Sequence, residues 1–155
     1  MTDEAYFKEA GKVAEKSLCL RDKCGAVIVL GGEIVGRGYS APPHDNIEGR
    51  RCHLNPVISL KPKSDRTCCV HAEWRAILEA VESKKIIGST LYFVRVDEKG
   101  EILNALGIPY CTVCSRLALE TGVSLFCLIT KEGIKIFPTK EFNDLSYEFH
   151  DKSNV

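Results

Sequence analysis

Two short segments concentrate the residues able to do chemistry: His71-Ala72-Glu73 and Cys111-Thr112-Val113-Cys114. A Cys-x-x-Cys at the start of a helix puts two thiols at i and i+3 on one face, close enough to hold one ion. The helix dipole at that end favours thiolate over thiol. Two thiolates and a neutral imidazole suit zinc, and three protein ligands leave a fourth position for water, the arrangement of a catalytic site. His71, Cys111 and Cys114 are therefore candidate metal ligands. Glu73, two residues beyond the histidine, can approach the water without ligating the metal and is the candidate catalytic residue. Taken alone, His71 reads as a packed core histidine, and Cys111 with Cys114 as a redox dithiol. The dithiol reading explains neither His71 nor Glu73. Trp74, next in the chain, reads as helix packing.

The elements that must position these groups belong to a chain of 155 residues, 45% apolar and 27% charged, ordinary values for one globular domain. At this length a fold buries about 68–70% of its unfolded surface and can build its own core. Lys+Arg and Asp+Glu are both 21, so no net basic field advertises nucleic acid or anionic lipid. The start, MTDEAYFKEAGK, has early acids and no apolar run, so no signal peptide is expected. No apolar stretch is long enough to span a bilayer. A cytoplasmic location and no membrane partner follow as expectations. Eight cysteines in such a chain are then expected to be reduced, with metal binding ahead of disulfides.

Helical spacing of Tyr6, Phe7, Ala10, Val13, Ala14 and Leu18 predicts an amphipathic helix over 3–20. CGAVIVL (24–30), Gly31-Gly32 and EIVGRGYS (33–40) read as a hairpin, its first strand apolar enough to lie mid-sheet. Residues 71–84 form a second helix with Ala72, Ile77, Leu78 and Val81 as core positions. A strand over 89–96, a loop over 97–109, a helix over 111–122 stopped by Gly122, strands at 123–130 and 134–137, and a final helix complete the order. The pattern implies an α/β domain in three layers, α/β/α, with one mixed sheet flanked by helices.

His-x-Glu followed by Pro-Cys-x-x-Cys is the signature of the zinc-dependent base deaminases. Over 24–129 the chain resembles the cytidine and deoxycytidylate deaminase superfamily through CGAVIV, GEIVGRGYSAPP, VHAEWRAILEA, GSTLYFV and PYCTVC, in the family's order. The resemblance implies a single deaminase domain over 1–155, zinc on His71, Cys111 and Cys114, and Glu73 moving protons while water replaces the exocyclic amine and ammonia leaves. It implies a homo-oligomer as well. It places Ser40, Ala72 and Tyr110 at the substrate pocket wall. Two of these depart from the family: Ser40 stands where many relatives have a substrate-binding asparagine, and Tyr110 stands where a proline usually precedes the first ligand cysteine.

A long insertion loop, about 41–69, holds Pro42, Pro43, Pro56 and Pro62 with little apolar periodicity. Loops of this length are usually functional or ordered by something other than a core. Some deoxycytidylate deaminases order a comparable insertion with a second zinc. Cys52-His53 and Cys68-Cys69, with Cys19 or Cys24, are the candidate ligands for such a structural zinc here, while Cys127 reads as a small core residue. Failing that, the loop closes over substrate and Arg50, Arg51 or Arg66 meets a phosphate. The substrate class is a small-molecule nucleotide or nucleoside, with dCMP first. A nucleoside or free-base deaminase (cytidine, cytosine, guanine) is the near alternative. A tRNA adenosine deaminase is disfavoured by the balanced charge, and a noncatalytic zinc module by Glu73.

Overall fold

The structure is a computed structural model describing residues 1–52, 68–104 and 109–153, the last stretch 149–153 as backbone alone. One sheet carries the strands β1 (Lys23–Leu30), β2 (Glu33–Tyr39), β3 (Thr90–Val96), β4 (Ile102–Leu103), β5 (Leu125–Thr130) and β6 (Gly133–Pro138). Their order is β2-β1-β3-β5-β6, with β4 paired to β3. Only β3 and β5 run parallel, so the sheet is mixed as expected. β1 lies mid-sheet, its six central residues all buried. Gly31 and Gly32 turn the first hairpin with φ of 59° and 84°, the paired left-handed geometry that a two-residue turn requires.

Side-chain alternation along the strands divides the core into two layers. Val27, Val29, Tyr92, Val94 and Cys127 face α1 (Asp3–Ala14). Ala26, Ile28, Leu91, Phe93 and Phe126 face α2 (Ala72–Glu82), α3 (Thr112–Thr121) and α4 (Thr139–Ser153). The three-layer α/β/α architecture is thus the one the sequence predicts. Glycine lets the helices sit close. A Cβ at Gly25 would collide with the Ala10 carbonyl of α1, and Cβ atoms at Gly36 and Gly38 with the Ala76 and Ala72 carbonyls of α2. Ala72, Ala76 and Ala80, all fully buried, complete that contact from the helix side.

Three expectations need correction. α1 ends at Ala14 rather than near residue 20, because the chain beyond is drawn to the end of β2: Leu18 N–H and the Ser17 hydroxyl both donate to the Ser40 carbonyl. In α2, Leu78 and Val81 are not core residues but are 63% and 44% exposed. The buried stripe is Ala72-Ala76-Ala80 with Ile77, so the sheet-facing side is set by small residues, and the larger ones lie away from it. Finally, the region expected as loop over 97–109 contains β4, whose Leu103 and Ile102 pair with Arg95 and Val96 across the Asp97–Gly100 turn. Ile102 packs toward Gly11 of α1.

Candidate active site

The site lies where the N-termini of α2 and α3 meet the end of the sheet formed by the start of β1 and the ends of β2 and β3. His71 is the N-cap of α2, in extended conformation, and its side chain makes no capping bond. Seating of Ala72 against Gly38 fixes where that helix begins. Cys111 is the N-cap of α3, and its sulfur accepts the Cys114 backbone N–H at 3.3 Å. Gly122 in the left-handed region (φ 99°) closes the other end of α3.

These local geometries converge. His71 Nδ1 is 3.1 Å from the Cys114 sulfur and 3.4 Å from the Cys111 sulfur. The three donor atoms lie within 4.8 Å of one another, and among the described residues this is the only group of at least three such donors. The two sulfurs also lie against each other. Thiols at i and i+3 on one helical turn reach each other readily, so the same geometry serves a dithiol or, once reduced, a pair of ligands. A dithiol alone leaves unexplained why an imidazole nitrogen faces both sulfurs. One nitrogen and two sulfurs are donors that zinc favours. Burial lowers the His71 pKa, which keeps the ring in the neutral form that a metal needs.

Glu73 is 4% exposed. Burial raises its carboxyl from the ordinary carboxylate range to about 7, the value expected of a proton carrier at neutral pH. Cys24, at the start of β1, is also held in its neutral form by burial first and by the Glu73 charge second. Tyr110 is 38% exposed as a whole, but burial of its hydroxyl end, then Cys24 and Glu73, pushes the phenol up, and the residue lines a small cleft with Phe93, Arg95, Leu103 and Asn104.

Ser40 is at the site's edge, but its hydroxyl is engaged in the scaffold. It donates to the Asp22 carbonyl (2.9 Å), accepts the Cys24 N–H (3.0 Å) and contacts the Ser17 hydroxyl (2.7 Å). Its one proton goes to the Asp22 carbonyl and one lone pair takes the Cys24 N–H, so this side chain has no proton to donate to a substrate without breaking a scaffold contact. Ala72 is fully buried against β2. Trp74, read from the sequence as packing, stacks on His71 with ring centroids 4.3 Å apart and planes 5° apart. No periodicity signal could reveal that contact, because it depends on His71 standing outside the helix as its cap.

The insertion is organised at its ends. Ala41 bridges Val70, and two short 3₁₀ turns follow at Pro43–Asp45 and Ile47–Gly49. Arg75 of α2 grips the first of them through Asp45 (2.9 Å) and the Pro42 carbonyl (3.0 Å). Arg50 donates twice to the Leu18 carbonyl, at 2.9 and 2.6 Å, so it braces the insertion against the segment after α1. Arg66 and His53 lie outside the described residues. Cys52 and Cys68 sulfurs are 3.8 Å apart. Cys69 hydrogen-bonds Cys19, lowering the Cys19 thiol to about 6.

An α/β/α domain with an imidazole and two sulfurs at the mouths of two helices, and a buried glutamate two residues from that imidazole, is a candidate zinc centre. Residues 1–130 match the family described as the cytidine and deoxycytidylate deaminase zinc-binding region, and the chain belongs to that family. It is 31% identical over 136 residues to a deoxycytidylate deaminase of Schizosaccharomyces pombe, covering 85% of this chain and 35% of that protein. It is 29% identical over 127 residues to the deoxycytidylate deaminase of Mycobacterium phage D29, covering 78% of this chain and 88% of the phage protein. The chain thus spans about a third of the yeast relative and most of the phage one. A cytidine deaminase from Burkholderia pseudomallei shares the fold at a TM-score of 0.60, with 18% identity over 92% of this chain and 96% of that one. The dCMP deaminase of cyanophage S-TIM5 does so at 0.54, with 24% identity over 81% and 82%. Among the described residues no helix is long and apolar enough to cross a membrane.

Proposed function

We propose that this protein is a zinc-dependent hydrolytic deaminase acting on a cytosine-type nucleotide, dCMP first. The observation that carries the reading is Glu73, a carboxyl buried to 4% exposure with its pKa raised to about 7, two residues from the histidine of a triangle of zinc-type donors. A purely structural zinc site has no use for it. His71, Cys111 and Cys114 hold the metal, with the cysteines reduced. A zinc ion held there would supply a water acidified toward neutrality, and so nucleophilic near pH 7. The Cys114 N–H and the α3 dipole stabilise the Cys111 thiolate. Glu73 accepts a proton from the attacking water and delivers it to the ring nitrogen; it then takes the remaining proton of the added hydroxyl, which becomes the carbonyl, and passes it to the amine, which leaves as ammonia. Tyr110 and Ala72 belong to the pocket wall, and Ser40 shapes the wall by tying the ends of β1 and β2 together.

The preference for a nucleotide rests on the two deoxycytidylate deaminase relatives. The test is ammonia release from dCMP, dCTP, cytidine, cytosine, guanine and adenosine by reduced, zinc-loaded protein. The expected order has dCMP first, by at least about tenfold in kcat/KM over cytidine, roughly 1.4 kcal/mol. Equal rates on nucleotide and nucleoside would move the assignment to a nucleoside deaminase. The same reading carries a cytoplasmic location, one domain over 1–155 and a homo-oligomer, the last supported by the exposed Leu78, Val81, Ile87 and Leu119. A second zinc near the insertion would draw on Cys19, Cys52, Cys68 and Cys69, which the fold brings into pairs.

A further inference from the structure

Most metal-bound histidines are held by a hydrogen bond on the ring nitrogen away from the metal, which fixes the plane of the imidazole. The His71 ring has an additional constraint. Its backbone is that of an N-cap, outside the helix, and its side chain makes no capping bond. Against it lies the indole of Trp74, parallel to within 5° at a centroid separation of 4.3 Å. The plane set by that stack is the one in which Nδ1 faces both cysteine sulfurs.

The indole is not placed for its own polar group. Its N–H is buried and finds no hydrogen-bond partner among the described residues, an arrangement that costs stability. What the position does provide is a flat face three residues along the helix from His71, on the same side as the cap. A leucine would fill much of the space but offers no flat surface against which the ring plane is fixed.

We propose that Trp74 is a positioning residue, holding the His71 imidazole in the plane that presents Nδ1 to the metal. This rests on His71 being a zinc ligand. It has an optical consequence as well, because Trp74 is the chain's single tryptophan. Its emission therefore reports directly on the ring it stacks against.

The experiment measures zinc affinity of reduced protein by competition with a chromophoric chelator, alongside circular dichroism to establish folding. Trp74→Leu is expected to bind zinc about 10–100-fold more weakly than the parent, the usual cost of losing a group that orients a ligand. Trp74→Phe, which keeps a stacking face, should stay within about threefold of the parent. In the parent, selectively excited tryptophan emission should change with zinc and saturate with occupancy of this site, and His71→Ala should abolish the change. Folded Trp74→Leu that binds zinc as tightly as the parent would overturn the proposal, as would parent emission that is indifferent to zinc while zinc binds. Parent protein that binds no zinc when reduced would instead remove the ligation reading beneath it, so the two failures are distinguishable.

Discussion

Cys114→Ala is expected to lose the metal of the site, and turnover with it, by about 10⁴-fold or more, a part of the acceleration of 10⁶-fold and upward that enzymes supply. Cys114 is fully buried, and its sulfur is the donor nearest to His71 Nδ1, at 3.1 Å. Removing it leaves one sulfur and one nitrogen, too few protein ligands for a stable zinc centre. Bound zinc is folding free energy, so the variant should also melt at a lower temperature than zinc-loaded parent, and added zinc should not restore the difference. Elemental analysis of parent and variant checks the expectation and also counts the metal elsewhere. The variant should hold one zinc fewer per chain than the parent, whether the parent holds one or two. Unchanged zinc content with activity retained would mean that the ligands lie elsewhere.

Glu73→Gln should behave differently, keeping its zinc and its fold while losing about 10²–10⁴-fold in turnover, the typical contribution of a general acid–base. Glutamine is nearly isosteric but cannot carry the proton. A second readout comes from linkage. In zinc-free protein the folded-state pKa of Glu73 is raised from 4.5 to about 7 by burial, above the value of an unfolded carboxyl. The folded state therefore holds this proton more tightly, and the stability so gained is present at low pH and lost as pH rises from about 4.5 through about 7. Glutamine has no such loss, so zinc-free Glu73→Gln should gain in melting temperature relative to zinc-free parent as pH is raised across that window. Near-normal turnover of the zinc-loaded variant would remove Glu73 from the mechanism.

Much of this site is legible before the fold is known, because its chemistry demands residue types at short spacings. Cys111 and Cys114 share a helical turn, and His71 and Glu73 open another, so local sequence alone nominates all four. The juxtaposition of the two turns is tertiary, and the strand–helix order implied it only through the resemblance to a family. What stayed hidden depends on contacts between distant segments. Ser40 is read from the sequence as a wall residue, but that its hydroxyl ties Asp22 to Cys24 appears only in the fold. Arg50 also braces the Leu18 carbonyl, a contact across more than thirty residues that no local spacing announces.

Leu78 and Val81 show the same dependence in the fold. Hydrophobicity favoured them as core positions, yet Gly36 and Gly38 of β2 admit a helix only if it presents alanines and its own backbone. Close approach, rather than apolar bulk, decided which face turned inward. β4 was missed for its brevity, since two residues carry no periodicity.

Reaction of reduced, zinc-loaded protein with dCMP in ¹⁸O-labelled water, with ammonia and product followed together, tests hydrolytic deamination itself. One ammonia is expected for each dUMP formed, with one labelled oxygen in the product's base, at the carbon that carried the amine. Folded, zinc-replete protein that releases no ammonia from dCMP, or from any cytosine nucleoside or nucleotide, would contradict it.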